Sequence, residues 1–295
     1  MQELSILILT FNSAQYISEC LQSIVLLYKK ELKNGLLEIV IADNKSSDNT
    51  EELSRKFIEK NRESKISFIQ NGSNLGFASG INEGMKHVRG KYVIFLNPDA
   101  QVANRDLFKM VDFMKKNPKA KITGAKMVDY LNNNELSAGK FLTPIKLIPW
   151  MFGLERVFNL RFSPKKEQKV DFVSGGSMMV ESDYFKKIGG FDTNFFMYVE
   201  DMELCFRVRK DGKQVFFYPA FRVRHKGQGS SSSAFAYINI FKGIYLFHKK
   251  HSSRLVLFYV QLVLSMKSLL GIMTGIVTFN QSKVTLYKKT MRFIS

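Results

Sequence analysis

The feature that most constrains this chain is a repeated order of apolar strand followed by amphipathic helix. Leu4 to Leu9 is a short apolar run, and TFNSAQYISECLQSIV follows it with Ile17, Cys20, Leu21, Ile24 and Val25 at helical spacing. Ser13 is the expected N-cap. Leu37 to Ala42 is a second strand closed by Asp43-Asn44, and Ser47 or Asp48 opens a polar helix to about Asn61. Ile66 to Ile69 is a third strand; NGSNLGFASGINEG is a Gly/Asn-rich loop leading into a helix that ends near Val88. Tyr92 to Leu96 is a fourth strand, and a helix from about Arg105 to Lys116 and a strand near Ile122 extend the pattern. This alternation predicts an α/β fold, a mostly parallel central sheet flanked by helices.

Ligands collect at the C-terminal edge of such a sheet. Parallel strands all end on one side, so Asp43 and Asp99 are expected at one edge. Asn97-Pro98-Asp99 is also ordinary turn chemistry, so Asp99 alone is either a turn former or a ligand. Two common phosphate-cradling motifs are absent: no GxGxxG follows the first strand, and there is no GxxxxGK[ST].

From Asn132 to about Lys169 the periodicity dissolves into a segment with Trp150, prolines and basic residues, too apolar for a plain linker. An irregular insert or lid over residues 131–169 is expected. Order returns at VDFVSGGSMMVES, a strand broken by Gly175-Gly176. A helix from about Val199 to Lys210 and strands at Gln214–Tyr218 and Phe221–Arg224 follow. On that helix Asp201 shares the apolar face with Leu204, Cys205 and Val208, whereas Glu203, Arg207 and Lys210 fall on the side expected to be solvated. A carboxylate at Asp201 is either a helix-start cap or a partly desolvated base with a raised pKa. His225 follows a strand and precedes a Gly/Ser loop, a position that suits a structural or a ligating histidine. The domains are expected to be 1–232 and a basic, apolar helical tail, 233–295.

The formal net charge of +18 over 295 residues asks for an anionic partner. Nucleic acid is not expected: no RNP, zinc-finger or helix-turn-helix signature occurs, and the basic residues crowd beside apolar helices. Cys20 and Cys205 sit among apolar neighbours and read as reduced core thiols. The N-terminus has no basic n-region and runs directly into LSILIL, so the fold is expected to face the cytoplasm. In the tail, Leu255 to Met266 is apolar all round, Lys267 interrupts, and SLLGIMTGIVTF continues to Phe279. A single span would set Lys267 at mid-bilayer at about 2.5–3.5 kcal/mol. An interfacial helix or hairpin, a helix packed on the protein or on a second copy through the GxxxG at Gly271 and Gly275, and a true span all remain open. Basic flanks, Lys242, Lys249, Lys250 and Arg254 before the run and Lys283, Lys288, Lys289 and Arg292 after it, suit an anionic membrane surface.

Taken in order, SILILTFNSAQYISECLQSI, IVIADNKSSDNT, NLGFASGINEGMKHVRGKYVIFLNPDA, FVSGGSMMVESDYFKKIGGFD, FFMYVEDMELCFRVRKDG and HKGQGSS resemble the inverting glycosyltransferase family 2, with its GT-A fold. The NLGF…LNPDA and GGFD…YVEDMELCFR blocks look most like its bacterial rhamnosyltransferase branch. The resemblance implies that Thr10, Asn12, Asp43, Asn44, Asn74, Gly76 and Asn97 line the nucleotide pocket, and that Gly175, Gly176 and Glu200 meet donor sugar or acceptor. It further implies that Asp99 and His225 hold Mg²⁺ or Mn²⁺ and that Asp201 is the catalytic base. Two departures stand out: Asn97 replaces the first aspartate of the DxD motif, and Glu203 stands where an aspartate is frequent.

By the same resemblance the chain is an enzyme of polysaccharide biosynthesis, with dTDP-rhamnose or a UDP-hexose or UDP-N-acetylhexosamine as donor. The acceptor is a glycan or lipid-linked glycan, and the site of work the inner face of a bacterial plasma membrane. The C-terminal helices are a candidate homo-oligomer contact, and a catalytically silent sugar-nucleotide-binding assembly subunit is the competing expectation.

Overall fold

A computed structural model describes residues 2–226 and 233–293; the Gly/Ser part of the HKGQGSS block lies outside the described residues. In chain order the first elements are β1 (Leu4–Thr10), α1 (Ile17–Lys33), β2 (Leu37–Asp43), α2 (Thr50–Lys60), β3 (Ile66–Gln70), α3 (Gly76–Gly84), β4 (Tyr92–Leu96), β5 (Ala100–Val102), α4 (Leu107–Lys116) and β6 (Ala120–Val128). The insert carries β7 (Ala138–Gly139), a 3₁₀ turn (Pro144–Lys146), α5 (Leu147–Met151), β8 (Arg161–Phe162) and β9 (Gln168–Lys169). Then come β10 (Phe172–Val173), β11 (Ser177–Glu181), α6 (Ser182–Lys187), α7 (Glu200–Lys210), β12 (Gln214–His225), α8 (Ser233–His251), α9 (Arg254–Val277) and α10 (Gln281–Met291).

The main sheet runs β3-β2-β1-β4-β11-β6-β12-β5. Its first four strands are parallel, with Thr10 opposite Asp43 and Ile8 opposite Leu96. Residues 10, 43 and 97 therefore emerge at one edge, as the alternation requires. β11 runs against both β4 and β6, and β12 is parallel to β6. Every residue of β2 and β4 is buried, in keeping with their mainly apolar runs, and the buried Glu38 of β2 accepts from Ser5 Oγ (2.5 Å) and the Arg89 N–H (2.7 Å). Cys20 and Cys205 are buried free thiols, as expected.

Several local expectations shift. Ser13 does not cap α1: the helix starts at Ile17, and the Ser13 carbonyl accepts the Tyr16 and Ile17 N–H groups from a preceding turn. The strands expected at 214–218 and 221–224 are one strand, β12, with an irregular register between Tyr218 and Arg222 at Pro219-Ala220. The insert is built rather than loose. Leu147, Trp150 and Leu160 share an apolar cluster with Phe241 and Ile244 of α8 and Val260, Val263 and Leu264 of α9. The tail is joined to the main body too, since Phe247 of α8 lies in the main core. Gly271 and Gly275 are taken up inside the chain: a Cβ at Gly271 would lie 2.3 Å from the Tyr287 ring, and one at Gly275 2.8 Å from Val284, both on α10.

The largest correction concerns Glu203. It was expected on the solvated side of its helix, but it is fully buried because α8 covers that side of α7. Its carboxylate accepts from the Arg207 guanidinium (2.9 Å), Lys250 Nζ (2.8 Å) and His251 Nε2 (3.0 Å). Arg207 also donates to the Ile188 and Gly190 carbonyls at 2.6 Å, tying the GGFD turn to the same centre. Glu203→Ala leaves Arg207 and His251 without their carboxylate, while Lys250 keeps only Asp192 at 2.6 Å. The expected loss is about 3 kcal/mol, the lower end for a broken buried pair because Lys250 is partly in water. It would be read as a lower urea midpoint at unchanged m-value.

Candidate active site

Three cavities meet at the C-terminal edge of the parallel strands, and Asn97 and Met197 line all of them. The first, about 370 Å³, has Thr10, Asn44, Asn74, Gly76 and Asn97 in its wall. The polar groups behind it are tightly tied. Asp43 is buried, and its carboxylate accepts from Thr10 Oγ1 (2.7 Å), Ser46 Oγ (2.6 Å) and the Ser46 N–H (2.8 Å). Asn44 Nδ2 donates to the Gly76 carbonyl at 3.0 Å, and Asn74 Oδ1 accepts the Gly76 N–H at 3.1 Å. Gly76 has φ +75°, and a Cβ there would lie 2.3 Å from the Phe196 carbonyl, so this close approach needs glycine. Asn12, at φ +50°, is exposed and accepts from the Ser47 N–H at 2.8 Å.

The second cavity, about 420 Å³, holds Gly175, Gly176, Glu200 and Asp201 against Trp150, Leu160 and Arg161 of the insert. Asp201 Oδ2 accepts the Gly175 N–H (3.1 Å) and Oδ1 the Met202 N–H (2.7 Å), so both carboxylate oxygens are fixed in direction. Burial raises the pKa of Asp201, while the nearby Arg161 guanidinium and these N–H groups pull against that rise. Glu200 is raised further, by burial first and then by the Asp201 charge, and its Oε2 has no hydrogen-bond partner. Gly176 fits closely: a Cβ there would meet Asn97 Nδ2 at 2.9 Å.

The backbone that presents Asp201 is strained. Tyr198 and Val199 both have positive φ, +68° and +69°, which costs of order 1–3 kcal/mol each for non-glycine residues. α8 holds this turn from behind. Its Gly243 comes so near that a Cβ would lie 2.7 Å from the Val199 Cβ.

The third cavity, about 470 Å³, contains His225 and Glu135. Asp99 is buried, and neither of its oxygens receives a well-formed hydrogen bond. His225 Nε2 lies 3.3 Å from Asp99 Oδ1, and its Nδ1 lies 3.0 Å from Glu135 Oε2. Burial disfavours the imidazolium, but the Asp99 and Glu135 carboxylates outweigh it and raise the His225 pKa to about 10. The positive charge that the two carboxylates favour on His225 marks a place a divalent cation fits, with Asp99 and His225 Nε2 as ligands once the ring proton is displaced and Glu135 orienting Nδ1. Among the described residues no three His, Cys, Asp or Glu side chains form a complete protein shell. Mg²⁺ sites in general use one or two protein ligands and complete the shell with substrate phosphates and water. Glu135 was not anticipated: it lies in the aperiodic insert, where only an acidic residue near a turn could have drawn attention.

A family model for "glycosyl transferase family 2" matches residues 5–189. The chain belongs to glycosyl transferase family 2. A second model, "N-terminal domain of galactosyltransferase", matches residues 160–228 of this transferase. The transferase is similar to the rhamnosyltransferase WbbL of Escherichia coli K12, 26% identical over 210 residues, covering 68% of this chain and 76% of that one. It is also similar to the N-acetylglucosaminyl-diphospho-decaprenol L-rhamnosyltransferase of Mycobacterium tuberculosis H37Rv, 23% identical over 245 residues and 75% of each chain. Among solved structures, the mannosyltransferase PcManGT from Pyrobaculum calidifontis in complex with GDP-Man and Mn²⁺ superposes with a TM-score of 0.60. It is 15% identical, covering 99% of this chain and 85% of that chain. GalNAc-T7 with UDP, GalNAc and Mn²⁺ gives a TM-score of 0.61 at 18% identity, over 84% of this chain and 48% of that one. At these identities the superpositions establish the fold, which is GT-A.

Proposed function

We propose that this glycosyltransferase moves L-rhamnose from dTDP-rhamnose to a hydroxyl of a lipid-linked or surface glycan, with inversion at the anomeric carbon. The observation that carries the proposal is the seating of Asp201: half-buried, raised in pKa and aimed by two backbone N–H groups into a cavity that shares Asn97 with the nucleotide-side pocket. The names of the two bacterial relatives support the choice of sugar.

In this mechanism Thr10, Asn12, Asp43, Asn44, Asn74, Gly76 and Asn97 form the nucleotide side, and Gly175, Gly176 and Glu200 border the donor sugar and acceptor. Asp201 accepts the proton of the acceptor hydroxyl as that oxygen bonds to the anomeric carbon. The bond from that carbon to the diphosphate oxygen breaks on the opposite side, and the nucleotide diphosphate leaves. One base and one in-line displacement invert the configuration. Asp99 and His225 would hold Mg²⁺ or Mn²⁺, which neutralises charge growing on the leaving diphosphate as a Lewis acid. Burial, and then the Asp201 charge, raise the Glu200 pKa, which disfavours a second negative charge beside the base. The basic tail would attach the enzyme to the inner face of the bacterial membrane, where a lipid-linked acceptor resides.

The test is a panel of dTDP-rhamnose, UDP-hexoses and UDP-N-acetylhexosamines, read as nucleotide diphosphate released with a lipid-linked glycan acceptor. dTDP-rhamnose is expected to turn over fastest. Faster turnover of a UDP-sugar would reassign the donor, and no turnover of any donor would favour a sugar-nucleotide-binding assembly subunit.

A further inference from the structure

α9 is the one helix among the described residues long and apolar enough to cross a membrane. It has 24 residues, about 36 Å of helix. Its two faces differ. Val260, Val263, Leu264, Ser268, Gly271 and Gly275 turn inward. Leu255, Phe258, Leu262, Met266, Leu269, Met273 and Ile276 form an exposed stripe at spacings of three or four residues, with no charge in it.

The charge that interrupts the sequence is drawn aside. Lys267 Nζ donates to the Trp150 and Met151 carbonyls (3.0 and 2.8 Å), the C-terminal end of α5, and sits 4.4 Å from the centre of the Trp150 ring. This contact fastens the insert along the flank of α9. The insert has its own exposed apolar side chains: Ile145, Ile148, Phe152, Val157 and Phe158. Arg254 opens α9, and Lys288, Lys289 and Arg292 are exposed on the antiparallel α10 beside it.

We infer that the outer stripe of α9 and the apolar side chains of the 145–158 insert form one face that beds into an anionic lipid surface, with α9 lying in the plane of the interface. This rests on the membrane attachment proposed above and assigns the face that makes it. An exposed apolar surface rimmed by polar residues marks an interaction site, and Glu155 is the one acidic residue in 145–158 and 254–292. The occupant is chosen by charge: a second copy would bring +18 against +18, whereas anionic headgroups complement the rim. A flat orientation follows from the protein packed on the inner face of α9, because α5, α8 and α10 all lie against it. The insert is then an anchor, not a lid. Its Trp150 also walls the Asp201 cavity, so that cavity stands beside the lipid surface.

The experiment is flotation of the full chain with phosphatidylcholine vesicles, with and without phosphatidylglycerol. The variants are Phe258→Glu/Leu262→Glu on the stripe, Val157→Glu/Phe158→Glu on the insert, and Leu26→Glu as a control on α1. All five positions are exposed (Val157 75%, Phe158 54%, Leu26 76%), so thermal midpoints should match wild type. Wild type and the control are expected to float with phosphatidylglycerol vesicles, and each double variant to bind at least about tenfold more weakly. An insert variant that floats like wild type overturns the composite face and leaves attachment through the tail standing. Wild-type protein that binds neither vesicle overturns the face and the attachment together. A dimer in sedimentation that the stripe variant disperses overturns lipid as the occupant.

Discussion

Asp201→Asn is expected to lower turnover by about 10²–10⁴-fold while leaving nucleotide affinity unchanged. The asparagine keeps the shape of the side chain and one hydrogen bond to the backbone, so the Gly175 and Met202 N–H groups that aim the carboxylate still have a neighbour. What disappears is the group that receives the acceptor proton. The pH profile supplies an independent check. A base acts only when ionised, and burial raises the Asp201 pKa above the ordinary aspartate value of 3.8, with the Arg161 charge opposing. Turnover is therefore present above the raised pKa and lost below it, with the acid limb at higher pH than an exposed aspartate would give. The same burial costs stability. Asp201 and Glu200 both have folded pKa values above their unfolded ones, so their contribution is fullest at low pH and declines as pH rises through the folded values. An acid limb unchanged in Arg161→Gln would argue against this electrostatic account, because removing that cation should move the limb to higher pH.

Asp99→Ala is expected to remove the metal-dependent part of nucleotide affinity, a loss of about 100-fold or more, while destabilising the metal-free protein much less than Glu203→Ala does. The second half of this expectation separates a binding residue from a structural one. Glu203 is equally buried but has every oxygen engaged, and its loss should destabilise. Asp99 is buried with one long ionic contact, His225 Nε2 at 3.3 Å, and His225 keeps Glu135 as a second counter-charge when Asp99 is removed. Calorimetric titration with nucleotide at saturating Mn²⁺, beside a thermal scan without metal, reads both halves. A variant destabilised as much as Glu203→Ala that still binds nucleotide in a metal-dependent way would make Asp99 a turn former.

The sheet edge was legible because strand direction and apolar patterning settle it without long-range information. β1, β2 and β4 read as mainly apolar runs despite Ser5 and Glu38, Asp43 closes β2 and Asp99 lies just past β4. Asp201 was legible for a similar reason, since helical periodicity places it beside Leu204, Cys205 and Val208. The same periodicity misplaced Glu203. Periodicity ranks the faces of a helix by their own residues, and the face of α7 bearing Glu203 is covered by Lys250 and His251 of α8, 47 and 48 positions later. Lys267 misled in the same way: in sequence it breaks an apolar run, but its partners are carbonyls 117 and 116 positions earlier. Glu135 could not be found by pattern at all, because its value depends on meeting His225 across 90 positions. The left-handed turn at Tyr198-Val199 carries no glycine to announce it.

The most direct test of the central claim is titration of the wild-type protein with dTDP and with UDP, with and without Mn²⁺. Binding that requires Mn²⁺, with dTDP preferred, is the predicted result, and it would tie Asp99 and the Asn97 junction to a nucleotide-diphosphate donor. A folded protein that binds neither nucleotide, with or without the metal, would contradict the account of this site.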